Sequence, residues 1–237
     1  MDLTGKNVVV IGGTSGIGLA TATAACQLGA EVWAASRSQD KIDAAQSDHP
    51  EIHFSQVDTH NPEGLSDLFS SIGHIDHIVG AATGATRTQA PFMEQTDDQF
   101  RAAFDKFWGY THVVRMGTPH LADQGSITLV SGTPARRCNP GMISVSCTGC
   151  AVEGFVRALA KELAPKRVNA VAPGIIDTPM FDHFGEKKAA TMTAIGKGMP
   201  LGRVGLPQEV AEAIILSMTN SYMTGVVIDI DGGALLA

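Results

Sequence analysis

Tyrosine is scarce in this chain. Only Tyr110 and Tyr222 occur among 237 residues, and aromatic side chains make up 5%. So few rings argue against an aromatic-rich binding groove, while 26 glycines favour close helix–sheet packing. Cysteine is also sparse: Cys26, Cys138, Cys147 and Cys150 are too few and too irregularly spaced for a disulfide framework. There is no basic excess. The net charge is −7 and no basic run occurs, which argues against nucleic acid and anionic membrane as partners. No apolar run approaches the ~18–20 residues of a membrane span. The N-terminus runs straight into a strand-like segment without the basic and apolar regions of a signal peptide, so the expected location is cytoplasmic.

What is present is a globular composition, 44% hydrophobic, in a length that suits one large α/β domain. Apolar runs of strand length recur at 6–12, 31–36, 52–58, 75–82, 126–132, 167–174 and 225–233. They are nearly continuous in Val, Ile and Ala, as strands covered on both faces are. Helix-length segments lie between them at 18–29, 38–47, 61–73, 96–121, 143–164 and 206–220. Ser38, Asn61 followed by Pro62, and Thr96 supply N-terminal caps. The alternation predicts a single doubly wound, Rossmann-type α/β domain of about seven parallel strands with helices on both faces. Residues 175–205 lack a strand and are rich in Gly, Met and Lys, the make-up of a substrate lid.

The stretch "VVVIGGTSGIGLA" sets Gly12, Gly16 and Gly18 between the first strand and the first helix. Glycines there let backbone approach a pyrophosphate, and the helix N-terminus offers N–H groups to it. At the end of the second strand stand Ser36, Arg37 and Ser38. A carboxylate there would favour a free ribose 2′-hydroxyl. A guanidinium flanked by hydroxyls favours a 2′-phosphate instead, so the expected cofactor is NADP(H).

These motifs resemble those of the short-chain dehydrogenase/reductase family, nearly end to end. "GGTSGIG" is similar to its phosphate loop, which brings Thr14, Ser15 and Ile17 into the expected cofactor site beside the three glycines. Val57-Asp58 matches the pair whose aspartate binds the adenine amino group. Ala81, Ala82 and Thr83 occupy the loop after the fourth strand. "APGIIDTPM" matches the loop that holds the carboxamide, giving Pro173, Gly174, Ile176 and Thr178 as contacts. The segments "PLGRVGLPQEVAEAI" and "TGVVIDIDGG" match C-terminal parts of the family, and "AVEGFVRALAKELAP" matches its active-site helix.

The departures fall on the chemistry. The resemblance implies a tetrad of Asn, Ser, Tyr and Lys, but the register places Lys106, Gly132, Val145 and Gly149 at those positions. No Tyr-x-x-x-Lys motif stands near the helix, so the standard proton route is absent. Lys106 is the leading replacement: an ammonium there could stabilise a developing alkoxide, and Tyr110 shares its helix face. The alternative for Lys106 is an ion pair with a neighbour such as Asp105, and for Tyr110 a subunit interface. Ser131, next to the serine position, Thr133 and Ser144 are candidates to orient a substrate oxygen. Cys147 and Cys150 form a C-x-x-C without a second pair to complete a zinc site, so no metal is expected. His112, His120 and His183 are further titratable candidates.

Two functions fit this pattern. One is an atypical NADP(H)-dependent oxidoreductase acting on a small-molecule carbonyl or alcohol through a non-standard proton donor. The other is an NADPH-binding pseudoenzyme acting as sensor, scaffold or protein partner. In either case the resemblance implies a homodimer or homotetramer formed through the helices at 96–121 and 143–164.

Overall fold

A computed structural model of the protein describes residues 1–83 and 88–236. Seven strands form one sheet: β1 (Asn7–Ile11), β2 (Glu31–Ser36), β3 (His53–Gln56), β4 (Ile75–Gly80), β5 (Leu121–Val130), β6 (Arg167–Pro173) and β7 (Val227–Ile230). All pairings are parallel, in the order β3-β2-β1-β4-β5-β6-β7. The connecting helices are α1 (Gly16–Gln27), α2 (Gln39–Asp48), α3 (Pro62–Ile72), α4 (Asp97–Gly117), α5 (Ile143–Glu162), α6 (Lys188–Gly196) and α7 (Pro207–Thr219).

Strand alternation divides the core in two. Val9, Ile11, Ile78, Ile127 and Leu129 point to one face and pack with Leu65 and Phe69 of α3, Tyr110 and Val113 of α4, and Val152 and Val156 of α5. Val8, Val10, Val32, Ala34, Val79 and Val130 point to the other, against Ala22 and Ala25 of α1 and Val210 and Ile214 of α7. Both faces are therefore dry, which accounts for strands without polar alternation. The apolar character of α5, long enough by composition to cross a bilayer, is likewise used in packing on α4 and β6.

The expected caps are in place. Ser38 Oγ accepts the Lys41 N–H at 3.4 Å, and Asn61 Oδ1 accepts the Gly64 N–H at 3.0 Å. Thr96 and Gln99 form a reciprocal capping box at the start of α4. One boundary differs from the sequence reading. α4 ends at Gly117, a 3-10 turn Thr118–His120 follows, and β5 already begins at Leu121. Pro119 has no N–H to continue the helix. Exposed Asp123 and Gln124, just inside β5, interrupt its apolar run in the sequence.

The order of strands reverses at β1 and β4, and their carboxyl ends open a crevice there. The segments after β4, β5 and β6 all leave from this edge. The last of them carries a 3-10 stretch, Pro179–Lys187, and then α6. Its ends are tied by a backbone bridge between Ile176 and Gly205. Lys188 pairs with Asp177 at 2.9 Å and Asp182 at 2.8 Å.

Candidate cofactor and active site

The loop between β1 and α1 is shaped for close backbone approach. Gly12 has φ +89, and a Cβ on it would stand 2.5 Å from Ala82 N. A Cβ on Gly18 would stand 2.0 Å from the Gly12 carbonyl oxygen, so neither position admits a side chain. Ser15 takes the N-cap position of α1 without a side-chain cap, and no acidic residue sits in the first turn. That helix end thus presents its N–H groups and the positive end of its dipole to an anion. Thr14 is buried. Gly16 faces Thr178, with a hypothetical Cβ 3.3 Å from its side chain. The loop that follows Pro173 and Gly174 is therefore brought against the phosphate loop, with Ile176 buried beneath it.

On the β2 side, Ser36 ends the strand and its Oγ accepts the Ser38 N–H at 3.4 Å. Arg37 is exposed, and its carbonyl accepts from Gln56 Nε2 at 3.1 Å, which fixes the backbone of the turn. Val57 is buried, while Asp58 is exposed and accepts the His60 N–H through Oδ1 at 2.9 Å. Ala81 extends β4 by donating its N–H to the Ile11 carbonyl at 2.8 Å. A narrow cleft runs from this side to α4; Arg37, His60, Ala82, Thr83, Lys106 and Tyr110 are among its walls.

Lys106 Nζ donates to the Ser131 carbonyl at 3.1 Å and lies 5.6 Å from the centroid of the Tyr110 ring. Tyr110 is 1% exposed and its hydroxyl donates to the Val130 carbonyl at 3.1 Å. It belongs to the core rather than to an outer surface. Alternation carries Ile127, Leu129 and then Ser131 to the α5 face. Ser131 Oγ accordingly turns to α5, donating to Glu153 Oε1 at 3.3 Å and lying 3.5 Å from the Gly149 carbonyl.

Val145, Gly149 and Glu153 follow one another at helical spacing along α5. The turn Thr133–Ala135 closes against this face. A Cβ at Gly149 would stand 2.9 Å from Ala135 Cβ and 3.3 Å from its backbone. Gly132 is roomier: the nearest atom to a Cβ there is Pro134 Cδ at 3.4 Å. The turn is anchored by charge. Arg136 pairs through Nε with the buried Glu153 at 3.4 Å and through Nη1 with Asp229 of β7 at 2.8 Å. Arg137 donates to the Ala234 carbonyl. These loop arginines are therefore structural partners and not simply solvated. The sequence signal for Glu153 is a charged residue at helical spacing from Val145 and Gly149.

The remaining candidates have local partners. Cys147 and Cys150 are exposed free thiols, and Cys150 Sγ donates to the Ala135 carbonyl at 3.0 Å. His112 Nδ1 bonds the Thr59 carbonyl at 2.8 Å, His120 stacks on Phe69, and His183 Nδ1 bonds the Met180 carbonyl at 2.9 Å. Ser144 is buried and its Oγ has no hydrogen-bond partner among the described residues. Thr133 lends its carbonyl to the N–H groups of Arg136 and Arg137.

A parallel sheet with this strand order, a glycine-rich loop at a bare helix N-terminus and a crevice at the switch point define a Rossmann-type fold. The family model described as Enoyl-(Acyl carrier protein) reductase matches residues 11–234. A 3-oxoacyl-acyl-carrier-protein reductase, FabG, from Thermotoga maritima is 35% identical over 252 residues, covering 100% of both chains. A solved small-chain dehydrogenase in complex with NADPH is similar at TM-score 0.84 and 32% identity, over 98% of this chain and 99% of that one. So is an NADPH-bound short-chain oxidoreductase from Pseudomonas aeruginosa PAO1 containing an atypical catalytic center, at TM-score 0.90 and 29% identity over 98% of each chain. The chain belongs to the short-chain dehydrogenase/reductase family of oxidoreductases, whose members bind a nicotinamide cofactor.

Proposed function

We propose that this protein is an NADP(H)-dependent oxidoreductase that acts on a small-molecule carbonyl or alcohol without the family's Asn-Ser-Tyr-Lys tetrad. The observation that carries this reading is the contrast between the two halves of the crevice. The cofactor half has close backbone approaches that leave room for a dinucleotide: Gly12 at Ala82, Gly18 at Gly12, and Gly16 at Thr178. The chemical half has lost the tyrosine and lysine, and the lysine position is filled by Ala135. Likeness to an NADPH-bound oxidoreductase with an atypical catalytic center supports such a combination.

In this reading the pyrophosphate lies on Thr14, Ser15, Gly16, Ile17 and Gly18. Ser36, Arg37 and Ser38 hold the 2′-phosphate, Val57 and Asp58 the adenine, and Ala81, Ala82 and Thr83 the central stretch. Pro173, Gly174, Ile176 and Thr178 hold the nicotinamide end. The bound cofactor supplies hydride; the chain binds it, orients the substrate and excludes water. Lys106 and Ser131 are the polar groups placed between α4, β5 and α5, and the proton comes from a donor other than a tyrosine on α5. Residues 175–205 form the lid. We further propose a cytoplasmic homodimer or homotetramer assembled through α4 and α5, with neither nucleic acid nor membrane as partner.

The test is NADPH oxidation followed at 340 nm across a panel of aldehydes, ketones and quinones. Turnover dependent on the carbonyl supports the proposal. Tight NADPH binding with no turnover on any member would sink the oxidoreductase reading.

A further inference from the structure

Two polar contacts link Lys106 of α4 to α5 through Ser131. Ser131 accepts Lys106 Nζ through its carbonyl at 3.1 Å and lies through Oγ 3.5 Å from the Gly149 carbonyl. A single residue therefore separates the lysine of α4 from position 149. The α5 route to that space is closed, because a Cβ on Gly149 would meet Ala135 at 2.9 Å.

The direction in which this cation works follows from the rest of its surroundings. Lys106 lines the same cleft as Arg37, Ala82 and Thr83. Those residues stand at the ends of β2 and β4, across the switch point where a dinucleotide lies. The segments that wall a substrate, 133–142 and 175–205, leave from β5 and β6 on the other side. Two cations and one carboxylate, Asp105, line this cleft in a chain of net charge −7. Such a local reversal of sign fits an anionic ligand. An ammonium has three donors and no acceptor, and the Ser131 carbonyl is one partner for them. Donors of this kind suit ribose hydroxyls and phosphate oxygens.

We infer that Lys106 is a cofactor-binding residue: from α4 it holds the polar sugar–phosphate part of the dinucleotide, and it does not deliver the proton. This rests on the proposed NADP(H) function and assigns one residue within it. The proton of the reaction then comes from solvent or from the substrate.

The experiment separates binding from chemistry. NADPH affinity is measured by fluorescence titration for the wild-type protein and for Lys106→Ala, Lys106→Met and Lys106→Arg. The Met variant keeps the apolar stem, and circular dichroism checks the fold of each. Turnover at saturating NADPH is then followed against pH on the best substrate. The expected result is a dissociation constant raised at least about ten-fold in Lys106→Ala and Lys106→Met, recovered in Lys106→Arg. The loss of activity should appear in the KM for NADPH, while the pH profile keeps both of its limbs. Unchanged affinity with collapsed turnover, or loss of one limb of the pH profile, would overturn the inference. If the wild-type protein binds NADPH but turns over nothing, the oxidoreductase reading fails while the affinity series still decides the role of Lys106. If it binds no dinucleotide, both fall.

Discussion

Gly149 of α5 lies against Ala135 so closely that a Cβ on the glycine would stand 2.9 Å from that of the alanine. The distance is below what real side chains adopt. The turn Thr133–Ala135 occupies the volume beside Gly149, and Arg136 anchors it through Glu153 and Asp229.

Restoring the family residues should therefore fail unevenly. Gly149→Lys, alone or with Val145→Tyr, forces the turn off α5 and should cost about 1–3 kcal/mol. In a chain of this size that lowers the melting temperature by roughly 2–4 °C for each kcal/mol. Gly132→Ser has 3.4 Å of clearance and an extended backbone, and should leave the melting temperature within about a degree. Calorimetry on the two single variants checks the contrast. Equal melting temperatures would mean that the turn yields freely.

In the proposed cofactor site Arg37 stands at the ribose 2′-position. Arg37→Ala should weaken NADPH binding about ten-fold or more while leaving NADH binding nearly unchanged, because only the 2′-phosphate loses a charged partner. Titration with both nucleotides gives the ratio. A parallel loss for both would place Arg37 outside the 2′-phosphate site.

Gly18 supports the Gly12 carbonyl from below, and a Cβ there would reach 2.0 Å from that oxygen. Gly18→Ala should therefore displace the loop, abolish detectable NADPH binding and destabilise the fold by about 2–3 kcal/mol. Nucleotide titration together with thermal unfolding measures both effects. Wild-type affinity in the variant would show that the loop has another way to bend.

Acid should weaken the fold at one internal site. His77 is 7% exposed, its Nδ1 is 2.8 Å from Ser126 Oγ, and burial, ahead of the opposing pull of Asp76, lowers its pKa from 6.5 to about 4. The folded state then binds its proton less readily than the unfolded state does. Stability from this group is complete above pH 6.5 and is lost as pH falls towards 4. The full difference is about 3 kcal/mol. Urea unfolding between pH 7.5 and 4.5 should show this slope, and His77→Gln should flatten it. A variant with the same slope as wild type would assign the effect to other groups.

Much of the architecture is legible in the sequence because it rests on local rules. The Val-rich runs, the caps at Ser38, Asn61 and Thr96, and the glycines around the first turn each state their structure within a few residues. The start of β5 at Leu121 is not legible, since its pairing with Ile75 lies ahead of the exposed polar residues Asp123 and Gln124. In the site, the register points to Lys106, Gly132, Val145 and Gly149, but not to what packs against them. Ala135 against Gly149, Arg136 on Glu153 and Asp229, and Lys106 on Ser131 are contacts between separate segments of chain. The side on which Ser131 points was available in principle from the alternation of Ile127 and Leu129.

The most direct test of the central claim follows the hydride itself. NADPH carrying deuterium at C4 is incubated with the protein and a carbonyl panel, and the alcohols formed are examined by mass spectrometry. The account predicts deuterium in at least one product, with transfer abolished in Gly18→Ala and sustained at saturating cofactor in Lys106→Arg. Bound NADPH that delivers no deuterium to any carbonyl would contradict it.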